Sequence, residues 1–148
     1  MIEGVIIKDL TVFSDERGMF AEIARKADVF FGQISFSKVF QGISKAWHLH
    51  KKQTDWGCAV SGDIKYVLYD NRKNSKTYKE ITEILMGETS GYRMVQIPPG
   101  VAHGYRIING PAVIVYITSH EYDPLDELRI PHDDPSIGYD WESGSAIK

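Results

Sequence analysis

Residues 42–50 form a β-type run, Gly42-Ile43-Ser44-Lys45-Ala46-Trp47-His48-Leu49-His50. Side chains alternate between the two faces of a strand, so His48 and His50 are predicted to project from the same face. Imidazole titrates near neutral pH and is also a common metal ligand. The pair therefore indicates either proton transfer or a metal centre, and the residues around it must decide between the two.

Short β-rich runs recur along the rest of the chain, and no long helical pattern interrupts them. The predicted strands are Val5–Leu10, Phe20–Ile23, Gln33–Val39, Gly57–Val60, Ile64–Tyr69, Ile81–Leu85, Arg93–Ile97 and Val113–Ser119. Turn-forming sequences such as Asp15-Glu16-Arg17-Gly18, Ser61-Gly62-Asp63 and Asn109-Gly110-Pro111 separate them. Strand and turn at this spacing predict an all-β fold, a sandwich or barrel of jelly-roll type.

A barrel of this type encloses a cavity, and strand alternation sends every second side chain into it. Tyr116 falls inside the apolar run Val113-Ile114-Val115-Tyr116-Ile117, where a buried phenol needs a hydrogen-bond partner. His103 follows the stiff turn Pro98-Pro99-Gly100-Val101-Ala102, which is expected to place it at the start of a strand near the mouth of the barrel. Tyr116 and His103 therefore join the histidine pair as candidate site residues.

Composition limits the organisation and the partners. The 148 residues are 43% hydrophobic and 11% aromatic, which suffices for one domain with a sizeable core, and a second domain is not expected. The polar chain end, Trp141 to Lys148, is expected to be a loosely held tail from about residue 142. The formal net charge is −3, so the chain has no excess of positive charge, and no nucleic-acid partner is expected.

Cys58, the single cysteine, lies in an apolar run and is predicted to be a buried free thiol in a reducing compartment. In the N-terminal segment, Met1 to Leu10, charged residues interrupt the apolar ones, so the segment resembles neither a signal peptide nor a membrane span. The protein is therefore predicted to be cytoplasmic and to have no membrane partner.

Several segments carry a family resemblance. Asp15 to Glu22 is similar to the pattern D-x-R-G-x-F-x-E, and Ile97 to Tyr105 is similar to I-P-x-G-x-A-H-G-F, the strongest single match. Val115 to Pro124 follows a pattern that carries an acid tyrosine, and Asp133 to Trp141 resembles D-D-P-x-I-x-I-x-W. Over nearly the whole chain these patterns resemble the RmlC-like cupins, typified by dTDP-4-dehydrorhamnose 3,5-epimerase. The resemblance implies a single cupin domain over residues 1–148, a jelly-roll barrel also called a double-stranded β-helix.

The resemblance also implies an epimerase that needs no metal or other cofactor, works as a homodimer and acts on a nucleotide-diphosphate deoxysugar of the dTDP-4-keto-6-deoxyhexose type. The stretch Gln33 to His48 resembles the family's run ending in R-G-L-H, which implies that His48 is the general base, and the tyrosine pattern implies that Tyr116 is the acid on the opposite face. The carbonyl of such a sugar acidifies the neighbouring C–H bonds, so a neutral imidazole can take a proton and a phenol can return one. The substrate-binding residues implied are Arg17, Phe20, Glu22, Gln33, Ser35, Lys45, His103, Tyr122 and Glu127.

The chain departs from the family at three positions of the site. His50 stands where the family usually has glutamine, Asp55 aligns with a lysine near the substrate ketone, and Tyr66 aligns with an aspartate. The family's base is oriented by an aspartate near the place where this sequence stops. His48 is therefore expected to need another partner, for which Asp55 is one candidate.

Two alternatives follow from the same residues. His48, His50, Asp55 and His103 nearly reproduce the pattern of the metal cupins, with aspartate in place of glutamate, and could hold one divalent transition metal in a metal-dependent enzyme. The departures from the family pattern are also compatible with a cupin that binds a sugar without catalysis.

Overall fold

The computed structural model describes residues 1–142, and within that range the chain forms β-strands and no helix. The all-β prediction is confirmed. The ten strands are β1 (Ile6–Asp9), β2 (Val12–Asp15), β3 (Gly18–Ala21), β4 (Gln33–Val39), β5 (Ser44–His50), β6 (Asp55–Asp70), β7 (Ile81–Gly87), β8 (Arg93–Ile97), β9 (Val101–Thr118) and β10 (Glu127–Arg129). Over the same range there is no helix of the length and apolarity that crossing a membrane requires.

Two long strands, β6 and β9, form the centre of the fold and pair with each other along most of their lengths. Strand β9 also pairs with β4 and β5, while β6 pairs with β7 and β8. Strand β1 extends the sheet beyond β8, and β10 extends it beyond β5. Eight strands thus form one antiparallel sheet of jelly-roll type, and β2 and β3 form a separate hairpin.

Both long strands have an irregular pairing register where the sequence predicts turns. The chain continues as strand through Ser61–Asp63 and through Asn109–Pro111, and the register of β6 against β9 shifts around the two segments. Gly62 has a φ of 71°, and a Cβ atom there would lie 2.5 Å from the carbonyl oxygen of Asn109. The turn predictions at these two places are therefore wrong. These residues act instead as bulges, which let one strand change direction without ending.

The alternation predicted for β5 is confirmed. Trp47 is buried against Tyr139 and Trp141, with its ring centroid 4.9 Å from that of Trp141. His48 and His50 point to the other face, into a cavity. One face of β5 therefore packs in the hydrophobic core, and the other face presents polar side chains to the cavity.

Trp141 and Glu142, at the start of the predicted tail, are better held than the sequence predicts. Trp141 is buried, and the carboxylate of Glu142 accepts a hydrogen bond from Arg106 Nη2 at 2.9 Å. The expectation of a loose tail is thus wrong for Trp141, whose indole completes an aromatic cluster. The rest of the predicted tail, residues 143–148, lies outside the described residues.

Cys58 lies in the interior as a free thiol. Burial raises the pKa of this thiol to about 11, so it stays protonated at neutral pH and is a poor nucleophile. The prediction of a packed cysteine is confirmed.

Asp70 organises the segment after β6 from a fully buried position. Its carboxylate accepts hydrogen bonds from Arg72 Nε at 2.8 Å, Ser75 Oγ at 2.6 Å and Thr77 Oγ1 at 2.6 Å. Arg72 also donates to the carbonyl of Glu3 at 2.6 Å. Burial alone would raise the pKa of Asp70, but these hydrogen bonds outweigh burial and hold the pKa well below its usual range. The ionised carboxylate thus ties this segment, and through Arg72 the N-terminal segment, to the barrel.

Replacing Asp70 by asparagine is expected to lower the free energy of unfolding at neutral pH by about 3 kcal/mol, because Arg72 loses its buried anionic partner. A carboxylate whose pKa is lowered on folding stabilises the protein above its unfolded pKa, so the difference between variant and wild type should shrink as the pH falls below about 4. Urea unfolding followed by tryptophan fluorescence at several pH values measures both effects. Asp133→Asn, at a carboxylate that is 77% exposed, is the matched control. Equal stability of Asp70→Asn and wild type at neutral pH would contradict the prediction.

Candidate active site

A cavity of about 310 Å³ opens between β4, β5, β6, β9 and β10. Strand register explains why the candidate residues meet there, since His48 lies opposite His103 in the β5–β9 pair and Ser35 lies opposite Tyr116 in the β4–β9 pair. The residues singled out by the sequence that line the cavity are Gln33, Ser35, Lys45, His48, His50, Asp55, His103, Tyr116, Tyr122 and Glu127. The sequence patterns on separate strands therefore describe one site.

His48 is held by Glu127 from β10. The imidazole Nδ1 lies 3.0 Å from Glu127 Oε1. Burial lowers the pKa of His48 by more than the contact with Glu127 raises it, so the ring is neutral at neutral pH. With Nδ1–H donating to the carboxylate, the lone pair on Nε2 can accept a proton. The sequence suggests Asp55 as the partner of His48, and this is wrong because Glu127 occupies that role.

Tyr116 is held by two other hydroxyl groups. Its hydroxyl lies 2.7 Å from Ser37 Oγ and 2.8 Å from Tyr105 Oη. Burial is the main cause that raises the pKa of Tyr116 well above its usual range, so the phenol keeps its proton. The hydrogen-bond partner that the sequence requires for this tyrosine is therefore present. A protonated phenol in a half-buried cavity can donate to a bound molecule.

A third cluster lies between the two groups just described. Asp55 Oδ2 is 3.1 Å from His103 Nε2 and 3.5 Å from His50 Nε2, and the three side chains are 10–12% exposed. Burial raises the pKa of Asp55, but the neighbouring His103, His50 and Gln53 outweigh burial and keep the carboxylate ionised. The structure thus brings together three of the four residues of the metal alternative. His48, the fourth, is paired with Glu127.

A row of rings connects the base candidate to the acid candidate. The centroids of His48 and His103 are 6.2 Å apart, those of His103 and Tyr66 6.3 Å, and those of Tyr66 and Tyr105 6.0 Å. Tyr105 then contacts Tyr116 through the hydroxyl groups. His48 and Tyr116 therefore stand at the two ends of one continuous cavity wall.

Tyr66 can enter this wall because residue 57 is glycine. A Cβ atom on Gly57 would lie 2.8 Å from the Tyr66 ring and 3.0 Å from its hydroxyl oxygen. Tyr66, where the resemblance leads one to expect aspartate, is thus a buried apolar surface of the cavity rather than an anion.

Three predicted binding residues do not line this cavity. Arg17 and Phe20 lie on the β2–β3 hairpin, and Glu22 directly follows it. The Arg17 guanidinium pairs with Asp15, and Glu22 pairs with Arg25. Within one chain these side chains are therefore surface groups, in contrast to the prediction.

Sequence reasoning missed four side chains that support the site. Ser37 and Tyr105 hold Tyr116, while Gln53 and Asp126 surround His50. For Ser37 a signal was available, because Gln33, Ser35 and Ser37 alternate along one strand face. For Gln53 and Asp126 no periodic signal exists, since both lie outside regular strands.

The antiparallel jelly-roll barrel is of the cupin class, and its cavity holds a histidine–glutamate pair and a partly buried tyrosine. The chain belongs to the dTDP-4-dehydrorhamnose 3,5-epimerase family, whose profile matches residues 1–148. The resemblance seen in the sequence motifs is thereby confirmed.

Relatives and solved structures agree with this assignment. The spore coat polysaccharide biosynthesis protein SpsL of Bacillus subtilis (strain 168) is 44% identical, over 97% of this chain and 98% of its own length. A dTDP sugar isomerase from Desulfovibrio desulfuricans G20 has a TM-score of 0.90 at 29% identity and covers 98% of this chain and 95% of its own. The epimerase RmlC of Legionella pneumophila, solved in complex with dTDP-4-keto-L-rhamnose, has a TM-score of 0.85 at 25% identity and covers 99% of this chain and 83% of its own.

Proposed function

We propose that the protein epimerises a dTDP-4-keto-6-deoxyhexose in the biosynthesis of deoxysugar-containing polysaccharides. The observation that carries this proposal is the pairing, in one cavity, of a neutral imidazole held by a carboxylate with a protonated phenol. The family membership supports the reaction, and the names of SpsL and the Legionella epimerase support the pathway and the nucleotide sugar.

In the proposed reaction, His48 Nε2 takes the proton from a carbon next to the C4 ketone. The electron pair of that C–H bond moves to form an enolate, with its negative charge on the C4 oxygen. Tyr116 then donates its hydroxyl proton to the same carbon from the opposite face, which inverts the centre. Each of the two roles is worth about 10²–10⁴-fold in rate for a well-placed group.

Glu127 is the positioning residue for the base in this mechanism. Its carboxylate fixes the tautomer of His48 through Nδ1 and stabilises the imidazolium that forms when Nε2 takes the proton. Arg129 Nη2 lies 3.6 Å from the other oxygen of Glu127 and helps to hold it. The orienting anion therefore comes from β10.

The remaining cavity residues supply the binding shell. Lys45 is the cation of this wall and is suited to the diphosphate, while Gln33, Ser35 and Tyr122 offer polar contacts. We include His103 as a polar contact to the sugar. The reaction needs no redox step, so the prediction that no cofactor is required stays part of the proposal.

Arg17, Phe20 and Glu22 enter the proposal through a homodimer. The hairpin that carries them exposes Phe13 and Phe20, and the outer face of β4 exposes Phe36. Exposed aromatic side chains on neighbouring surfaces favour association, and a second chain could bring the hairpin to its partner's cavity. A monomeric mass by sedimentation velocity would rule this arrangement out. The cytoplasmic location likewise stays a prediction.

The function is tested by incubating the protein with a dTDP-4-keto-6-deoxyhexose in D2O and following deuterium by NMR. Incorporation at C3 and C5 with inversion supports a 3,5-epimerase, and incorporation at one carbon supports an epimerase acting at one position. Binding of the sugar without any exchange would contradict the proposal and support the sugar-binding alternative.

A further inference from the structure

Tyr66 presents a hydroxyl group to the cavity. The residue is only 1% exposed, and it lines the cavity wall. Within residues 1–142, the fully buried side-chain nitrogen and oxygen atoms that lack a hydrogen-bond partner are Trp47 Nε1 and His50 Nδ1. The Tyr66 hydroxyl forms no hydrogen bond in that range and yet is not one of these fully buried atoms. The small accessible area of this side chain therefore includes the hydroxyl, which opens on the cavity.

Tyr66 stands midway along the row of rings that joins the proposed base to the proposed acid. Its ring centroid is 6.3 Å from that of His103 on one side and 6.0 Å from that of Tyr105 on the other. The hydroxyl lies over Gly57, where a Cβ atom would be 3.0 Å from the oxygen. Gly57 in turn lies opposite Tyr116 in the β6–β9 pair. The free hydroxyl is thus held at the middle of the wall, near Tyr116 but not bonded to it.

The chemistry of the proposed reaction requires a hydrogen-bond donor in this part of the cavity. Proton removal by His48 and proton return by Tyr116 take place on opposite faces of the same carbon. The enolate is planar, so its oxygen lies in the plane between those faces and to the side of the line that joins the two residues. Negative charge develops on that oxygen, and a donor placed where charge develops usually makes the largest single contribution to the rate.

The other polar groups at the middle of the wall are engaged with Asp55. Its Oδ2 lies 3.1 Å from His103 Nε2 and 3.5 Å from His50 Nε2, and Gln53 donates to Oδ1 at 2.6 Å. Burial raises the pKa of Asp55, but these neighbours outweigh burial and keep the carboxylate negative, so it repels an enolate. Burial also raises the pKa of Tyr66 well above its ordinary value, so the phenol is protonated and can donate.

Building on the proposed epimerisation, we propose that the Tyr66 hydroxyl donates a hydrogen bond to the C4 oxygen of the keto sugar and stabilises the enolate. The phenol keeps its own proton throughout. The electron pair of the broken C–H bond moves onto the C4 oxygen, and it returns to the carbon when Tyr116 supplies the new proton. His48 and Tyr116 thus transfer protons, whereas Tyr66 stabilises the charge that exists between the two transfers.

Replacing Tyr66 by phenylalanine tests this role, because the change removes the hydroxyl and keeps the ring. The melting temperature should stay close to that of the wild type, since the hydroxyl has no hydrogen-bond partner in the described part of the chain. We expect kcat for epimerisation to fall by about 10²–10³-fold, the usual cost of removing one such donor. KM should change little, because the full charge is absent from the bound ketone. Deuterium exchange into unchanged substrate should fall by the same factor, since the enolate precedes both outcomes.

Tyr69→Phe is the matched control. Tyr69 lies on the same strand, but it packs in the aromatic cluster with Trp47 and does not line the cavity. This variant should exchange and epimerise as the wild type does. If Tyr66→Phe fails to fold, Gly57→Ala provides a second variant, because the new Cβ atom would lie 2.8 Å from the Tyr66 ring and displace the phenol. Exchange and inversion should again fall together.

Wild-type rates of exchange and inversion in folded Tyr66→Phe would overturn this role and leave the epimerase proposal intact. A higher KM with unchanged kcat would also overturn it, because the hydroxyl would then contact only the bound ketone. A loss of inversion without a loss of exchange would make Tyr66 a proton donor instead of an enolate-stabilising group. If the wild-type protein bound the sugar without any exchange, the proposed function would fail, and the role of Tyr66 with it.

Discussion

Replacing His48 by asparagine is expected to lower the rate of deuterium incorporation into the keto sugar by about 10²–10⁴-fold, the usual contribution of a general base. The asparagine amide can still donate a hydrogen bond toward Glu127, so the β5–β10 contact and the cavity should persist. The amide has no basic nitrogen, so the substrate proton has no acceptor at this end of the cavity. NMR in D2O measures the loss directly, and thermal unfolding checks that the variant is folded.

The control for this variant is His120→Asn, because His120 is exposed and lines neither the cavity nor the surface pocket beside His48. Its exchange rate should equal that of the wild type. If His48→Asn exchanged as fast as the wild type, the proton would be leaving by another route and His48 could not be the base. Such a result would indicate that the base lies in the cluster around Asp55.

The strand-borne part of the site could be predicted from the sequence because alternation is a local rule. Polar residues at alternate positions of a strand face the cavity, and the sequence identifies His48, His50 and Tyr116 in this way, whereas Ser35 follows from the family resemblance. What alternation does not provide is the pairing between strands. Glu127 reaches His48 across 79 positions of sequence, through a three-residue strand that no periodicity reveals.

The same limit explains the error about Asp55. Its position after a histidine pair makes a histidine–aspartate contact a reasonable expectation, and the structure contains such contacts. They are made with His50 and His103, because Asp55 begins β6 and is set beside those two rings. The short sequence separation correctly predicted that Asp55 contacts a histidine, but it predicted the wrong histidine.

The register shifts between β6 and β9 show a second limit. Ser61-Gly62-Asp63 and Asn109-Gly110-Pro111 have the composition of turns, and composition alone cannot distinguish a turn from a bulge. The difference lies in whether the strands continue on both sides, which depends on pairing partners far along the chain. Because both strands continue, β6 combines the predicted strands Gly57–Val60 and Ile64–Tyr69. Strand β9 likewise joins the strand start predicted near His103 to the predicted strand Val113–Ser119.

Replacing Tyr116 by phenylalanine is expected to separate proton removal from inversion. Without the phenol, the enolate formed by His48 is reprotonated mainly from the His48 side, which returns the original configuration. The rate of epimerised product should fall by about 10²–10⁴-fold, while deuterium exchange into unchanged substrate should fall much less. Both quantities come from the same NMR time course, since inverted and retained products have different coupling patterns.

The surroundings of Tyr116 make this variant informative. Phenylalanine fills the same volume, and Ser37 Oγ and Tyr105 Oη, already 3.4 Å apart, can pair with each other once the Tyr116 hydroxyl is gone. Tyr139→Phe is the matched control, because it removes a phenol that donates to Glu83 outside the cavity. That change should cost about 1–3 kcal/mol of stability without affecting inversion. Equal losses of exchange and inversion in Tyr116→Phe would contradict the assignment of Tyr116 as the donor and would instead make it part of the group that stabilises the enolate.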